Sequence, residues 1–383
     1  MSRRVRRGED VGGMDADRLL ARIMRKLRQA NEPRDLALRR PCHYWEEIRF
    51  RDAPYWVPML ILRTSPCWWF LQAGGCSMCN YQLEADFQGR VTDDDILAQI
   101  DYAIARILPE PAPPYVLVTS AGSFLDDREV APGVRRAILE RLSRAGVRSL
   151  TFESRAEFVA DRRRLAAIRE AFPGELTVGM GLESLNPLIR NGILNKGLHL
   201  HTLERAFDSA NREGIGFYCY VLLGKPFLTL AEDVQDAADT ARFVLNSGGK
   251  LAIVEMTNIQ PATLTAYLFV EGRFRPPPLW AFLNVLHRIP RPLWNRIPIK
   301  GFDKASPMPE VFSENCPKCT SAFRAAYREW NTTREPNIID RLNSACPCIG
   351  RDPNAQAAGL LPLEARIKRE LVRVARDLGL RGE

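Results

Sequence analysis

Tyr115-Val116-Leu117-Val118-Thr119-Ser120 is an apolar run that ends on two hydroxyl residues, and it reads as a buried strand. The proline-rich turn Pro109–Pro114 precedes it and breaks whatever helix comes before. That helix is announced by Thr92-Asp93-Asp94-Asp95, a hydroxyl cap followed by acids, and continued by Ile96, Leu97, Ile100, Ile104 and Ile107. Further upstream, Val57–Arg63 (VPMLILR) is another short apolar run. Downstream the alternation continues. A helix around Val134–Ala145 precedes a strand at Ser149–Ser154, and a helix around Asp161–Phe172 precedes Leu176–Leu182. Leu203, Phe207 and Ala210 mark a helix before Gly216–Leu223. Thr229 caps one that ends at Asn246-Ser247-Gly248-Gly249, before Leu251–Met256. Strands alternating with helices of this length predict βαβ units and a parallel sheet. The fold class is therefore α/β, a partial (β/α)6 TIM-like barrel, with its chemistry at the C-terminal ends of the strands.

The flanks read differently. Residues 1–43 form a charged, helical N-terminal extension, residues 44–265 the barrel core, and residues 266–383 a C-terminal extension. Pro276-Pro277-Pro278, Pro290, Pro292 and Pro298 punctuate the last part. It ends in an amphipathic helix over Pro362–Leu378, with Leu363, Ile367, Leu371 and Val374 on one face, read as a packing helix.

Hydrophobic residues make up 46% of the chain and charged ones 26%, which excludes wholesale disorder and fibrous classes. No apolar stretch is long enough for an ordinary membrane span. The basic start Met1-Ser2-Arg3-Arg4-Val5-Arg6-Arg7 has no apolar segment after it, so no secretory signal is read and a cytoplasmic location is expected. The net charge is +8, and Arg supplies 46 of the 54 basic residues against 8 Lys. Guanidinium forks suit nucleic-acid phosphates, although genome base composition also favours Arg.

Nine cysteines are many for a reducing compartment, where clustered thiols are more often metal ligands than disulfides. Cys67-x8-Cys76-x2-Cys79 follows the first barrel strand, where a barrel keeps its active site. Three thiolates can hold three irons of a [4Fe–4S] cluster and leave one iron open. A zinc site lacking one ligand and buried structural thiols are the competing readings. Cys316-x2-Cys319 and Cys346-x1-Cys348 form a second group, whose four thiolates suit structural zinc or an auxiliary iron–sulfur cluster. Cys219, inside a strand, reads as a small buried hydrophobe, and the four histidines (His43, His199, His201, His287) have no ligand spacing.

A cysteine loop after the first strand of a six-unit α/β barrel resembles the radical S-adenosylmethionine superfamily. Its loop is wider than the usual three-and-two spacing, as in some Elongator-type members. The resemblance implies that Cys67, Cys76 and Cys79 hold the cluster. It implies cofactor contacts from Ser120, Ala121, Gly122 and Ser123, from Glu153 and Arg155, from Glu183 and Ser184, and from Lys196, Lys225 and Asn258. The fragments Cys67-Trp68-Trp69, Gly75–Tyr81, Phe152–Arg155 and Gly181–Ser184 are together similar to the radical enzymes of archaeosine formation. That implies a 5′-deoxyadenosyl radical from S-adenosylmethionine and an electron donor. It also implies a partner that attaches lysine to a 7-deazaguanine in tRNA, and C–N cleavage of that adduct. Two alternatives stay open: the same chemistry on a small molecule or peptide, and a non-catalytic zinc protein that binds RNA.

Overall fold

The computed structural model describes residues 16–31, 36–49, 54–109, 114–304, 309–342, 346–350 and 361–380. The basic run at residues 1–7 and residues 110–113 of the proline turn lie outside them.

One eight-stranded sheet runs in strict chain order. It comprises β1 (Cys42–Arg49), β2 (Pro54–Leu62), β3 (Tyr115–Ser120), β4 (Ser149–Glu153), β5 (Glu175–Glu183), β6 (Gly216–Leu223), β7 (Leu251–Met256) and β8 (Ile299–Lys300). β1 pairs antiparallel with β2, and every later pairing is parallel. Successive crossovers of one hand put their helices on one face, so the other face curls inward as a partial barrel. The six parallel strands read from the sequence are β2 to β7. The edge strands β1 and β8 are additions that the sequence reading missed.

Local signals work as read. Thr92 accepts from the Asp95 N–H while the Asp95 carboxylate returns to the Thr92 N–H, starting the helix Asp93–Arg106. Thr229 and Glu232 do the same for the helix Leu230–Asn246. Inside the barrel, Val57, Met59 and Leu117 on one side and Tyr218, Leu251 and Ile253 on the other make an apolar floor.

Both extensions pack against the barrel. The helix Ala16–Arg28 buries Leu20, Ile23 and Met24 in one cluster with Ile367, Leu371 and Val374 of the last helix, Leu363–Asp377. Leu222 and Ile259 of the barrel join the same cluster. The helix Thr320–Thr333 lies against β1 and β2. Its Asn331 accepts from the Ile299 N–H (3.0 Å) and donates to the Ile299 carbonyl (2.6 Å), standing in for the strand β8 lacks. No helix among the described residues is long and apolar enough to cross a membrane.

Candidate functional site

The loop after β2 is wide because a helix fills it. Trp68–Ala73 occupies the space between Cys67 and Cys76 and stops at Gly74, whose φ is +75°. A side chain there would meet Met24 Cβ at 2.7 Å, so the turn also requires glycine for the close approach of the first helix.

That first helix holds the loop directly. Arg28 is 7% exposed, and its guanidinium donates to the carbonyls of Gly74 (3.1 Å), Cys76 (3.0 Å), Cys79 (2.5 Å) and Ala262 (2.9 Å). From the other side, the Asn195 amide donates to Ala73 (2.8 Å) and Gly75 (2.7 Å), and the Ser77 N–H to Leu194 (2.9 Å). Gln82 accepts from the Cys67 N–H (3.0 Å) and donates to Ala121 (2.8 Å), tying this loop to the one after β3. Burial pushes the Cys67 thiol up to about 12 and also raises Cys79, where neighbouring Cys76 adds to the effect. A bound cation would offset that effect by stabilising their charged form.

A cavity of about 240 Å³ opens at the C-terminal ends of the strands. Cys67, Cys76 and Cys79 line it, with Ser120, Ala121, Gly122, Glu153, Arg155, Glu183, Lys196 and Asn258. Gly122 is needed there, since a Cβ would stand 2.6 Å from the Cβ of Cys67. Arg155 donates to Glu157 (2.5 Å) and to the Lys196 carbonyl (2.8 Å), and lies over the Trp69 ring. Lys196 pairs with Glu183 at 2.9 Å. Burial alone would lower the Lys196 pKa, but Glu183 and Cys76 carry it above the ordinary lysine value.

Ser123, Ser184 and Lys225 do not line the cavity. Ser123 accepts from the Arg155 N–H (3.1 Å), and its own N–H donates to Glu129 (3.0 Å). Ser184 donates to Asp236 (2.7 Å), while the Lys225 ammonium lies 2.6 Å from Asp233 and 3.3 Å from Asp236. These groups brace the strand ends from behind.

The sequence reading missed the inner half of the cavity. Tyr218 (3.1 Å) and Tyr220 (2.6 Å) both donate to Glu153. Glu46 of β1 meets Lys300 of β8 at 2.6 Å, so one ion pair joins the two edges of the sheet. Glu255 also faces this space, and burial pushes its carboxyl up to about 8, against the pull of Lys300. A glutamate inside the apolar strand Leu251–Met256 was a readable signal. Lys300 was not, because β8 is two residues long. Glu129 was missed too. It accepts from Ser120 (2.7 Å) and the Ser123 N–H, and burial pushes it up to about 8.

Two metal-capable groups differ in spacing. Among the described residues only Cys316, Cys319, Cys346 and Cys348 bring their ligand atoms all within 4.8 Å of one another.

An uncharacterized protein of Methanocaldococcus jannaschii is 29% identical over 303 residues, covering 76% of this chain and 79% of its own. Archaeosine synthase subunit beta of Methanosarcina acetivorans is 26% identical over 296 residues, covering 76% and 82%. The protein of the same name from Thermococcus kodakarensis is 27% identical over 311 residues, covering 79% and 93%. This chain resembles archaeosine synthase subunit beta. The resemblance read from its motifs therefore extends over about three quarters of its length. Among solved structures, methylornithine synthase aligns over 97% of this chain and 92% of its own at 14% identity, with a TM-score of 0.48. No family model matches the sequence.

Proposed function

We propose that this chain is a radical S-adenosylmethionine enzyme that cleaves a C–N bond of a lysine-adducted 7-deazaguanine in tRNA. One observation carries the reading: three cysteines line a cavity at the C-terminal strand ends, in a chain that resembles archaeosine synthase subunit beta. The donor set fits a [4Fe–4S] cluster. Three sulfur ligands suit three of its irons and leave the fourth open.

Cys67, Cys76 and Cys79 would hold the cluster. Ser120, Ala121, Gly122, Arg155, Glu183, Lys196 and Asn258 would face S-adenosylmethionine, with Ser123, Ser184 and Lys225 bracing them. When bound, the pair supplies a one-electron route to hydrogen abstraction from unactivated carbon. The protein's part is positioning. Arg28, Asn195 and Gln82 hold the cysteine loop in one shape.

Glu46, Glu153, Glu183 and Glu255 line the cavity together with Arg155, Lys196, Lys300 and Lys304. The tRNA, the lysine-transferring partner and the electron donor belong to the same proposal.

The test is anaerobic. Reconstituted protein is given dithionite and S-adenosylmethionine, with and without lysine-adducted tRNA, and 5′-deoxyadenosine and the nucleoside product are measured. Wild type should form 5′-deoxyadenosine, faster with adducted tRNA than with unmodified tRNA. The Cys67→Ala, Cys76→Ala, Cys79→Ala variant should form none. Equal product from wild type and variant, or none from either, overturns the reading.

A further inference from the structure

The second cysteine group is decided by its distances. Cys316 Sγ lies 3.7 Å from Cys319 Sγ and 3.5 Å from Cys346 Sγ, and Cys319 Sγ lies 3.5 Å from Cys348 Sγ. All four sulfurs fall within 4.8 Å of one another. Four thiolates at about 2.3 Å from one tetrahedral zinc are separated by about 3.8 Å. In a cubane each thiolate sits on a different iron, so the sulfurs stand roughly 6 Å apart. A two-iron cluster separates its two thiolate pairs in the same way. Only a single ion fits the observed set.

We propose that Cys316, Cys319, Cys346 and Cys348 bind one structural zinc ion, and that this ion fastens the helix closing the gap between β1 and β8. Cys319 is the residue immediately before the helix Thr320–Thr333, and Cys346 follows the helix Pro336–Leu342. The ion therefore joins the two ends of a helical hairpin. The first of these helices packs on β1, and its Asn331 supplies both hydrogen bonds to Ile299 of β8. Trp330 donates to Ile297 (2.9 Å) and Tyr327 to Leu279 (2.6 Å), both from fully buried rings. The next residue after Ile299 is Lys300, one of the cations that line the cavity. The chain of contacts thus runs from four thiolates, through one helix, to a charged group at the proposed substrate site. Four protein sulfurs leave no open position, so the ion holds structure and binds no substrate.

Metal content tests this apart from the radical chemistry. The Cys67→Ala, Cys76→Ala, Cys79→Ala variant, purified without reconstitution, should carry one zinc per chain by plasma emission and neither iron nor acid-labile sulfide. Iron with sulfide in that variant, or no metal, overturns the assignment. Substitution with cobalt(II) should give the intense thiolate and ligand-field absorption of a tetrahedral sulfur site; octahedral cobalt spectra would count against it. Cys346→Ser, Cys348→Ser should lose the zinc. Should that variant not fold, mercurial release of zinc from wild type, followed with a chromogenic chelator, gives the same stoichiometry. Amide hydrogen exchange after zinc release should rise in residues 320–333 and at Ile299–Lys300 while β3 to β6 stay protected. Unchanged exchange at β8 would sink the fastening role.

Discussion

Arg28 illustrates what single residues contribute beyond the motifs. The cysteines that carry the proposed chemistry are legible because thiol spacing is a local pattern. Arg28 lies 48 residues from Cys76, in a helix whose sequence advertises only charge and amphipathicity. Its four carbonyl partners could not be read without the fold. Hydrogen bonds to a charged donor are worth about 1.5–3 kcal/mol each, although a shared donor does not deliver four full contributions. Arg28→Met should therefore destabilise the protein by at least about 3 kcal/mol and leave the cysteine loop without its clamp. Thermal melting and iron retained per chain after reconstitution check this, with Arg28→Lys expected to recover part of both. Normal iron content in Arg28→Met would show that Asn195 and Gln82 suffice.

At the scale of elements, legibility followed length and regularity. β3, β6 and β7 match the runs Tyr115–Ser120, Gly216–Leu223 and Leu251–Met256, because fully buried parallel strands are continuous apolar segments. β1 was hidden, since Cys42–Arg49 carries two glutamates and an arginine and reads as surface. β8 was too short to show, and it is a strand only through its pairing with β7, with Asn331 satisfying Ile299. The terminal helix was read with its apolar face correctly placed, but its partner lies 351 positions away, counted from Leu20 to Leu371, about as far as the chain allows.

 Leu371 is fully buried between the two terminal helices, so Leu371→Ala removes packing from both. It should cost about 2–5 kcal/mol. Amide exchange should rise together in residues 16–28 and 363–377, and a rise confined to the last helix would show that the first is held by Arg28 instead.

For the whole molecule, the buried carboxyls of the barrel mouth set how stability varies with pH. Burial pushes Glu255 up to about 8, with Glu46, Glu183 and Glu153 adding to the rise and Lys300 opposing it. In the unfolded chain a glutamate titrates near 4.3. Between those values the native state keeps a proton that the unfolded state has released. Stability must therefore fall as pH rises through that window, by at most about 1.4 kcal/mol per pH unit for one group. The contribution is complete below the unfolded value and gone above about 8. Below pH 4 the sign reverses. Asp127, bound by Arg135 and Arg164 despite the opposing effect of burial, is held below the usual carboxylate range, as is Glu232 beside Arg366. Their share is lost as pH falls. The melting temperature should pass through a maximum near the unfolded carboxylate range and decline toward pH 8. Glu255→Gln replaces the titrating carboxyl by an amide of the same shape and should make the alkaline limb shallower, leaving the share of Glu129, also pushed up to about 8, and the acid limb in place. Melting curves of wild type and variant from pH 2 to pH 9 decide the matter. Parallel alkaline limbs would mean that Glu255 is already ionised at neutral pH, stabilised by Lys300 across the closed edge of the barrel.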